Sequence, residues 1–420
     1  MTPQWPAPPP RVVPLAALPS QPKPDRIKLL HVITRMIGGS AGNTLTSAAG
    51  MDPDRYEPWL AAAPGGAMWN GAETTGVRTV QLPRMQERIA PIDDVRTLIN
   101  LVALMRRERF TVVHTHCAKA GMLGRLAARI VGIPVVVHTY HALPVHDFMT
   151  ARRRALYLLM DRLARPLAHQ YVAVAPRLAR EAVEARVVRP GSITVVPSGI
   201  DLDQVSASSV TATRSALGIP DGAPVVGTVG RIVAQKAPLD FVRMAAQVKR
   251  SRPDAAFVMV GDATLESASL EKVTKEEAER LGVDILFTGY RADAAAIAAA
   301  FDVYVVPSIY EGLGRALTEA MVSGRPVVAT SVNGVPDLVE PGATGLLAAP
   351  GDHAALAECV VWMLDNPQHA RRMGAQGRSR VLSVFDADTM CRALDGIYSG
   401  LLGLPEEAVE FSSATAASAS

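Results

Sequence analysis

The chain has 420 residues, more than one hydrophobic core usually serves, which favours two domains. Hydrophobic residues make up 49% and charged residues 20%, which excludes an intrinsically disordered chain, and no apolar run approaches the roughly 20 residues of a membrane-spanning helix. The net charge is only +3, yet residues 26–203 hold 23 Lys and Arg against 14 Asp and Glu, whereas residues 204–420 hold 18 against 25.

The basic amino-terminal half indicates an anionic partner, and both a membrane surface and a phosphate-bearing acceptor fit. Nucleic acid does not fit, because aromatic residues are only 5% and no DNA- or RNA-binding motif occurs. Three distant cysteines, Cys117, Cys359 and Cys391, form neither a disulfide framework nor a metal knuckle, which agrees with a reducing cytosol. A catalytic thiol at Cys117 is the alternative to a small core residue.

Residues 1–25 are rich in proline and lack the order of a secretory signal, so we expect a disordered tail. Beyond them, short β-branched runs alternate with helical stretches, a pattern typical of βαβ units around a parallel sheet. The predicted strands are 27–33, 111–114, 135–139 and 170–175, with a helix at 119–131. We assign residues 26–205 to one doubly wound, Rossmann-like domain.

A second series follows the polar stretch 206–213 and repeats the architecture without repeating the sequence. Its predicted strands are 225–229, 256–260, 285–288, 303–306 and 327–329, and its helices are 239–250, 293–300 and 317–322. We assign residues 206–384 to a second Rossmann-like domain, 385–404 to a helix that packs back on the first domain, and 405–420 to a disordered tail. Two such α/β domains in tandem place a ligand cleft between them.

The segment 306–328 carries the strongest chemical signal. A predicted strand ends before a loop with Glu311, Gly312 and Gly314, and a helix containing Glu319 follows. Glycines let the backbone approach a ligand, and a helix amino terminus attracts phosphate. The spacing of the two glutamates, about 12 Å along a helix at most, roughly matches the reach from a donor sugar to its ribose. Alone, the two glutamates equally fit a solvated helix face.

Two cations follow the first strand of the second domain, in the sequence TVGRIVAQK at 228–236. Arg231, directly after Gly230, offers a bidentate fork, and Lys236 offers a point charge, so both can converge on a diphosphate. In the first domain, Gly38, Gly39 and Ser40 form a glycine loop before a helix, although such a loop alone also fits a plain turn.

These segments resemble the retaining transferases of glycosyltransferase family 4, which have the GT-B architecture of two Rossmann-like domains facing a cleft. The resemblance rests on EGLGRALTEAMVSGRPVV, NGVPDLVEPGATGLL and FTGYRADAAAIAAAFDVYVVPS, and extends over roughly residues 28–401. It implies that Glu311 contacts the transferred sugar or the diphosphate and Glu319 the ribose. It also implies that Arg231 and Lys236 neutralise the leaving diphosphate. The loop at Gly38 would face the donor phosphates, although GGSAG departs from the commoner Gly-Gly-Ala.

The resemblance also assigns roles to residues beyond these motifs. His141 corresponds to a family histidine that follows a strand, and we expect it to hydrogen-bond a donor-sugar hydroxyl, with a buried histidine as the alternative. Ala142 stands where the family commonly has glycine. Residues of the approach to the site and of the glycine loop complete the predicted donor-binding set: Gly230, Tyr290, Arg291, Gly312, Leu313 and Gly314.

No metal site is predicted. We expect His114 and His116 to point to opposite faces of their strand, and no carboxylate accompanies them at metal-site spacing. Asp201 and Asp203 have the spacing of a metal-binding DxD, but they resemble the family's GID segment and are interpreted as structural. The predicted enzyme therefore needs no metal and no cofactor besides its nucleotide-sugar co-substrate.

Acceptor contacts are less defined. The segment 84–90 loosely matches a basic loop of the family, and Arg88 is its candidate. The run at 152–165 predicts a basic amphipathic helix, which fits an anionic lipid surface and a solvated domain helix equally. The expected location is the cytoplasm, with contact at the inner face of the membrane left open.

The resulting hypothesis is a retaining hexosyltransferase of polysaccharide or cell-envelope biosynthesis. It moves a hexose or N-acetylhexosamine from a nucleotide-diphosphate sugar, UDP before GDP, to a hydroxyl of a glycan, lipid-linked or small-molecule acceptor. The alternatives are a sugar-nucleotide epimerase of the same fold, which needs no acceptor, and a non-catalytic sugar-nucleotide binding protein. Sugar, base, acceptor, linkage and oligomeric state stay open.

Overall fold

The computed structural model describes residues 26–66, 68–145, 149–200, 210–263 and 267–404. The β-branched runs of the first half form a parallel sheet in the order β3-β2-β1-β4-β5-β6-β7. Its strands are β1 (Ile27–Val32), β2 (Tyr56–Ala62), β3 (Arg78–Gln81), β4 (Val112–His116), β5 (Val135–Tyr140), β6 (Gln170–Ala173) and β7 (Ile193–Val195). Every residue of β4 and β5 is buried, because helices cover both faces of the sheet.

The helices of this half alternate with its strands. They are α1 (Gly38–Ala49), α2 (Trp69–Thr74), α3 (Pro91–Glu108), α4 (Ala118–Val131), α5 (Ala151–Ala164) and α6 (Pro176–Glu184), with a 3-10 turn at Arg165–Leu167. Helix α4 ends at Gly132 in the left-handed conformation, as its sequence indicates.

The second half forms another parallel sheet in the order β10-β9-β8-β11-β12-β13. Its strands are β8 (Val225–Val229), β9 (Ala256–Val260), β10 (Ile285–Phe287), β11 (Val303–Val306), β12 (Val327–Thr330) and β13 (Leu346–Ala348). Its helices are α7 (Val210–Ala216), α8 (Pro238–Ser251), α9 (Ala268–Leu281), α10 (Ala294–Ala298), α11 (Arg315–Val322), α12 (Val335–Leu338), α13 (His353–Asp365), α14 (Pro367–Leu382) and α15 (Ala387–Leu402), with a 3-10 turn at Ala234–Lys236.

The predicted strands and helices occur in both sheets within a few residues of their expected ends. The expectation that the second series closes at 327–329 is wrong, because β13 adds a further strand. Strands β2, β3 and β7 were not predicted either. Three of these four strands span only three or four residues, and Pro58 interrupts β2, so their periodicity is too short to detect.

Helix α15 lies against the first domain although it ends the described chain. Its Asp395 pairs with Arg55 at 3.2 Å and accepts a hydrogen bond from the Tyr56 hydroxyl. Its Tyr398 is fully buried against β4, where its hydroxyl contacts His114. This packing joins the two halves behind the cleft. Within the described ranges, every helix falls short of the length and apolar character that crossing a bilayer requires.

A buried ion pair fixes the covering helices of the first sheet. Arg125 of α4 is fully buried and pairs with Asp161 of α5 at 3.1 Å. Tyr171 accepts a hydrogen bond from Arg125, and Tyr140 donates one to Asp161. We expect Asp161→Ala to lower the free energy of unfolding by about 3 to 5 kcal/mol, because it strands a buried guanidinium. Chemical denaturation measures this loss.

The exposed pair of Arg177 and Glu181 provides the control for this prediction. Glu181→Ala should change the free energy of unfolding by about 0.5 kcal/mol or less, because solvent screens surface pairs. Equal losses for Asp161→Ala and Glu181→Ala would contradict the role given to burial.

Candidate active site

The chain order of the strands reverses between β1 and β4 in one sheet and between β8 and β11 in the other. Ligands of open α/β sheets bind at such points, outside the carboxyl ends of the strands. The predicted residues that follow these strands are Gly38, Gly39 and Ser40 after β1, Gly230, Arg231 and Lys236 after β8, and Glu311, Gly312, Leu313 and Gly314 after β11. One pocket is lined by Gly230, Arg231, Lys236 and Glu311 together with the first turn of α11.

Lys236 and Glu311 form an ion pair in this pocket. The Glu311 side chain is only 7% exposed, so solvent screens the pair weakly. The Glu311 backbone N–H donates to the Asn333 side chain at 3.1 Å, which anchors the loop. The ammonium predicted for the diphosphate and the carboxylate predicted for the sugar or diphosphate thus meet at one point.

Arg231 lies across the cleft from the glycine loop. Its Nε is 3.9 Å from the position that a Cβ on Gly38 would take, and Gly38 has a left-handed φ of +78°. No hydrogen bond or ion pair of the Arg231 side chain is found among the described residues. The guanidinium is therefore free to receive an anion between the two domains.

Sequence reasoning missed Arg315, the first residue of α11. Its Nε pairs with Glu319 at 2.9 Å, and its Cβ lies 3.1 Å from the position that a Cβ on Gly39 would take. Its Nη1 is buried and lacks a partner among the described residues. The only sequence signal was a cation directly after EGLG. Arg315 adds a third positive charge to the predicted phosphate region and holds the carboxylate of Glu319.

The glutamates do not sit eight residues apart along one helix, as the spacing estimate assumed. Glu311 lies in the loop, and α11 begins only at Arg315, so Glu319 belongs to its second turn. Gly314 caps this helix with a φ of +87°. The Leu313 side chain packs in the core, which leaves its backbone to face a ligand.

Gly312 brings the two domains into direct contact. A Cβ on Gly312 would lie 1.8 Å from the backbone carbonyl oxygen of His141, and the Gly312 carbonyl accepts the Gly334 N–H at 3.1 Å. His141 ends the β5 segment, so the predicted sugar-contact histidine does border the loop after β11. Burial lowers the pKa of His141 to about 4, which keeps its ring neutral at pH 7.

We expect Gly312→Ala to lower kcat/KM by about 10²-fold, because a methyl group there pushes the domains apart by more than an ångström. Steady-state kinetics measures the effect. Gly396→Ala in α15 is the matched control, since a Cβ there meets no atom within 4 Å. Full activity of Gly312→Ala would show that this close approach is not needed.

The histidines of the first sheet differ from expectation. Residues two apart in a strand share a face, so the prediction that His114 and His116 point to opposite faces is wrong. With His31 of β1 they form a fully buried cluster whose ring nitrogens lie within 4.8 Å of one another. However, His114 bonds Tyr398 and Thr139, and its ring stacks on His116 at 4.4 Å. Stacked rings do not direct lone pairs to a common point, so this arrangement favours hydrogen bonding over metal binding.

Other predicted residues lie outside the pocket. Tyr290 is exposed, and Arg291 pairs with Asp293 at 2.7 Å, although the neighbouring Gly289 carbonyl bonds Gly261 beside the β8 loop. Arg88 is exposed on the loop before α3. The segment with Asp201 and Asp203 lies outside the described residues. Burial raises the pKa of Cys117 to about 11, which does not suit a nucleophile.

Comparisons with known proteins agree with this geometry. The family model "Glycosyltransferase Family 4" matches residues 37–204, and "Glycosyl transferases group 1" matches residues 209–380. The 2-deoxystreptamine glucosyltransferase of Streptomyces kanamyceticus is 32% identical over 304 residues, covering 68% of this chain and 78% of that protein. The chain belongs to the family 4, group 1 glycosyltransferases.

Further relatives extend the comparison of this glycosyltransferase. The UDP-Gal:alpha-D-GlcNAc-diphosphoundecaprenol alpha-1,3-galactosyltransferase of Escherichia coli is 28% identical over 367 residues, covering 86% of this chain and 94% of that protein. Among solved structures, Anabaena HepE in complex with UDP and glucose superposes with a TM-score of 0.78 at 22% identity, covering 89% of this chain and 100% of that chain. This likeness confirms the predicted GT-B fold.

Proposed function

We propose that this glycosyltransferase transfers a hexose or N-acetylhexosamine from a nucleotide-diphosphate sugar to an acceptor hydroxyl, with retention and without a metal ion. The observation that carries the proposal is the convergence of Arg231, Lys236 and Arg315 on the amino end of α11, opposite the glycine loop. Three cations and a helix end provide a site for the leaving diphosphate.

Charge development explains how these groups act. As the glycosidic C–O bond breaks, the sugar becomes oxocarbenium-like and the departing phosphate oxygen gains negative charge. Arg231, Lys236 and the amides after Glu311 stabilise that charge most strongly in the transition state. The acceptor hydroxyl attacks from the face that the diphosphate leaves, and a phosphate oxygen takes its proton. Neutral His141 then acts as a hydrogen-bond partner of the sugar rather than as an acid.

The names of the relatives support UDP as the nucleotide. The E. coli relative is named for UDP-Gal, and solved structures of HepE hold UDP and UDP-glucose. GDP stays open for this chain. The same relative acts on a diphosphoundecaprenol-linked sugar, and those of Streptomyces act on 2-deoxystreptamine. We favour a lipid-linked acceptor for this chain, at the inner face of the membrane, because the amino-terminal half is basic.

A panel of nucleotide sugars tests this function directly. We expect one UDP-sugar to raise the melting temperature, since a ligand that binds only the folded state stabilises it by mass action. Slow donor hydrolysis should survive a chelator. Loss of hydrolysis in EDTA with recovery in manganese would overturn metal independence, and donor isomerisation without acceptor would identify an epimerase. Binding without hydrolysis or transfer would identify a non-catalytic binding protein.

A further inference from the structure

Two neighbouring helices of the first domain expose apolar stripes that nothing in the described chain covers. Helix α3 exposes Ile92, Val95 and Ile99, and helix α5 exposes Leu156, Leu159 and Leu163. Both sets have the i, i+3, i+7 spacing of one helix face. Ile92 is 71% exposed and Leu163 69%. We call these six residues the docking face.

The two stripes belong to one surface. Both helices pack against α4, and Glu87, Arg88, Ile89, Arg153, Leu156 and Tyr157 line a recess between the loop before α3 and the start of α5. Glu87 also pairs with Arg35 at 3.7 Å, and Arg35 lies on the segment from β1 to the glycine loop. The docking face therefore borders the acceptor side of the cleft.

The charges around the docking face are mainly positive. Exposed arginines surround it: Arg84, Arg88, Arg96, Arg152, Arg153 and Arg154. The acidic groups there are engaged, since Asp93 lies near Arg84 and Arg96, Asp94 pairs with Lys119, and Glu87 pairs with Arg35. Apolar side chains ringed by arginines match the headgroup layer of an anionic bilayer.

We propose that the docking face binds the surface of an anionic membrane, with the apolar stripes at the acyl boundary and the arginines at the headgroups. The inference deepens the proposed function, because it brings the cleft to a lipid-linked acceptor. Exposed apolar stripes on two adjacent helices are unusual in a monomer and mark an interaction surface. A bilayer fits better than a second copy of the chain, because facing arginines would repel each other.

Vesicle co-sedimentation of the full-length protein tests this proposal. We expect binding to vesicles of phosphatidylcholine with 30% phosphatidylglycerol, and at least tenfold weaker binding to phosphatidylcholine alone. Leu159→Ser with Leu163→Ser should weaken binding at least tenfold, and Arg152→Glu with Arg153→Glu should do the same. Val273→Ser and Lys272→Glu on exposed α9 are the apolar and charge controls and should bind as the wild type does.

Several results would overturn the membrane proposal. They are the absence of vesicle binding, equal binding to both vesicle types, and a dimer in solution that the Leu159→Ser, Leu163→Ser variant dissociates. The melting-temperature shift with UDP-sugar is measured without vesicles, so a failed donor site and a failed docking face are distinguishable.

A second, independent observation concerns the buried histidines. His31 Nδ1 lies 3.0 Å from His116 Nε2, and His116 Nδ1 lies 3.1 Å from His141 Nε2. The three rings form a linear chain from the sheet interior to the cleft. His31 Nε2 is buried without a partner among the described residues. His31 and His116 are fully buried.

The unpartnered nitrogen of His31 selects the direction of this chain. Each neutral ring has one N–H, so either all three rings are protonated at Nδ1 or all three at Nε2. Protonation at Nε2 would leave a buried His31 N–H without an acceptor, which costs more than an unused lone pair. We infer that His31 and His116 are positioning residues that hold His141 in the Nδ1–H tautomer, presenting a donor to the substrate.

Two substitutions of His116 separate this role from packing. The amide nitrogen of asparagine takes about the place of His116 Nδ1 and still donates to His141, whereas that of glutamine takes the place of Nε2. We expect His116→Gln to lower kcat at least tenfold and His116→Asn to keep it within about threefold. Equal loss in both variants would indicate a merely structural histidine and overturn the inference.

The ¹⁵N shifts of His141 in the labelled full-length protein give a readout independent of turnover. His141→Gln identifies its signals. Protonation at Nδ1 is the expected result, and His116→Gln should shift it towards Nε2. Protonation at Nε2 in the wild type, or stoichiometric zinc in metal analysis, would overturn the inference without affecting the proposed transfer reaction.

Discussion

Replacing Arg231 with alanine is expected to lower kcat by about 10²- to 10³-fold, which corresponds to about 3 to 4 kcal/mol of transition-state stabilisation. Nucleotide affinity should change far less, because the guanidinium acts mainly on charge that develops as the bond breaks. Within the described structure Arg231 has no competing carboxylate, unlike Lys236, which already pairs with Glu311. Steady-state kinetics combined with titration of UDP separates the two effects.

Arg291→Ala is the matched comparison for Arg231→Ala. Arg291 lies in the same domain and was predicted for the same ligand, yet it is exposed and paired with Asp293. Its replacement should change kcat by less than about threefold, because exposed pairs contribute about 0 to 1 kcal/mol. If Arg231→Ala leaves kcat unchanged and only raises KM, the residue provides uniform binding and the assigned role is wrong.

Mild acid is expected to unfold the protein. Burial lowers the pKa values of His31, to about 3, and of His141, to about 4, and also lowers those of His114, His116 and His138. Their folded-state pKa values lie below the unfolded value of about 6.5, so the unfolded chain binds more protons between these limits. Stability is therefore complete above about pH 6.5 and falls as pH decreases.

The expected loss is large for a protein of ordinary stability. Each histidine that stays neutral contributes about 1.4 kcal/mol per pH unit, or about 2 kcal/mol at pH 5. Several together approach a total stability of about 5 to 15 kcal/mol. Chemical denaturation from pH 7.5 to pH 5 measures the slope. His31→Asn should make it shallower, whereas His369→Asn on the exposed surface should not, and a slope that His31→Asn leaves unchanged would contradict this account.

Much of the fold could be predicted because βαβ units leave local signals. The buried strands β4, β5, β8 and β11 are β-branched runs, and α4 ends with a glycine, so neighbouring residues suffice to place them. Strands β3, β7 and β13 lie near sheet edges or are very short, and only pairing with a neighbour defines them. Such pairing is a long-range contact that no local pattern reports.

The residues of the site divide in a similar way. Arg231, Lys236 and Glu311 follow strands, and the family resemblance indicated them. Arg315 was missed because its partners, Gly39 and Gly42, lie in the other domain. Tyr290 and Arg291 stay predictions that this structure does not bring into the pocket. The assigned roles of all these residues await the kinetic tests above.

The sequence by itself determined the two Rossmann-like domains, the family and the loops that carry charge, because periodicity and short motifs are local properties of the chain. Only the tertiary structure decided that Lys236 neutralises Glu311, that Gly312 touches His141, and that three histidines from two strands form a chain to the cleft. These contacts join residues between 25 and 171 positions apart, and their energies depend on burial and distance, which exist only after the sheets have formed.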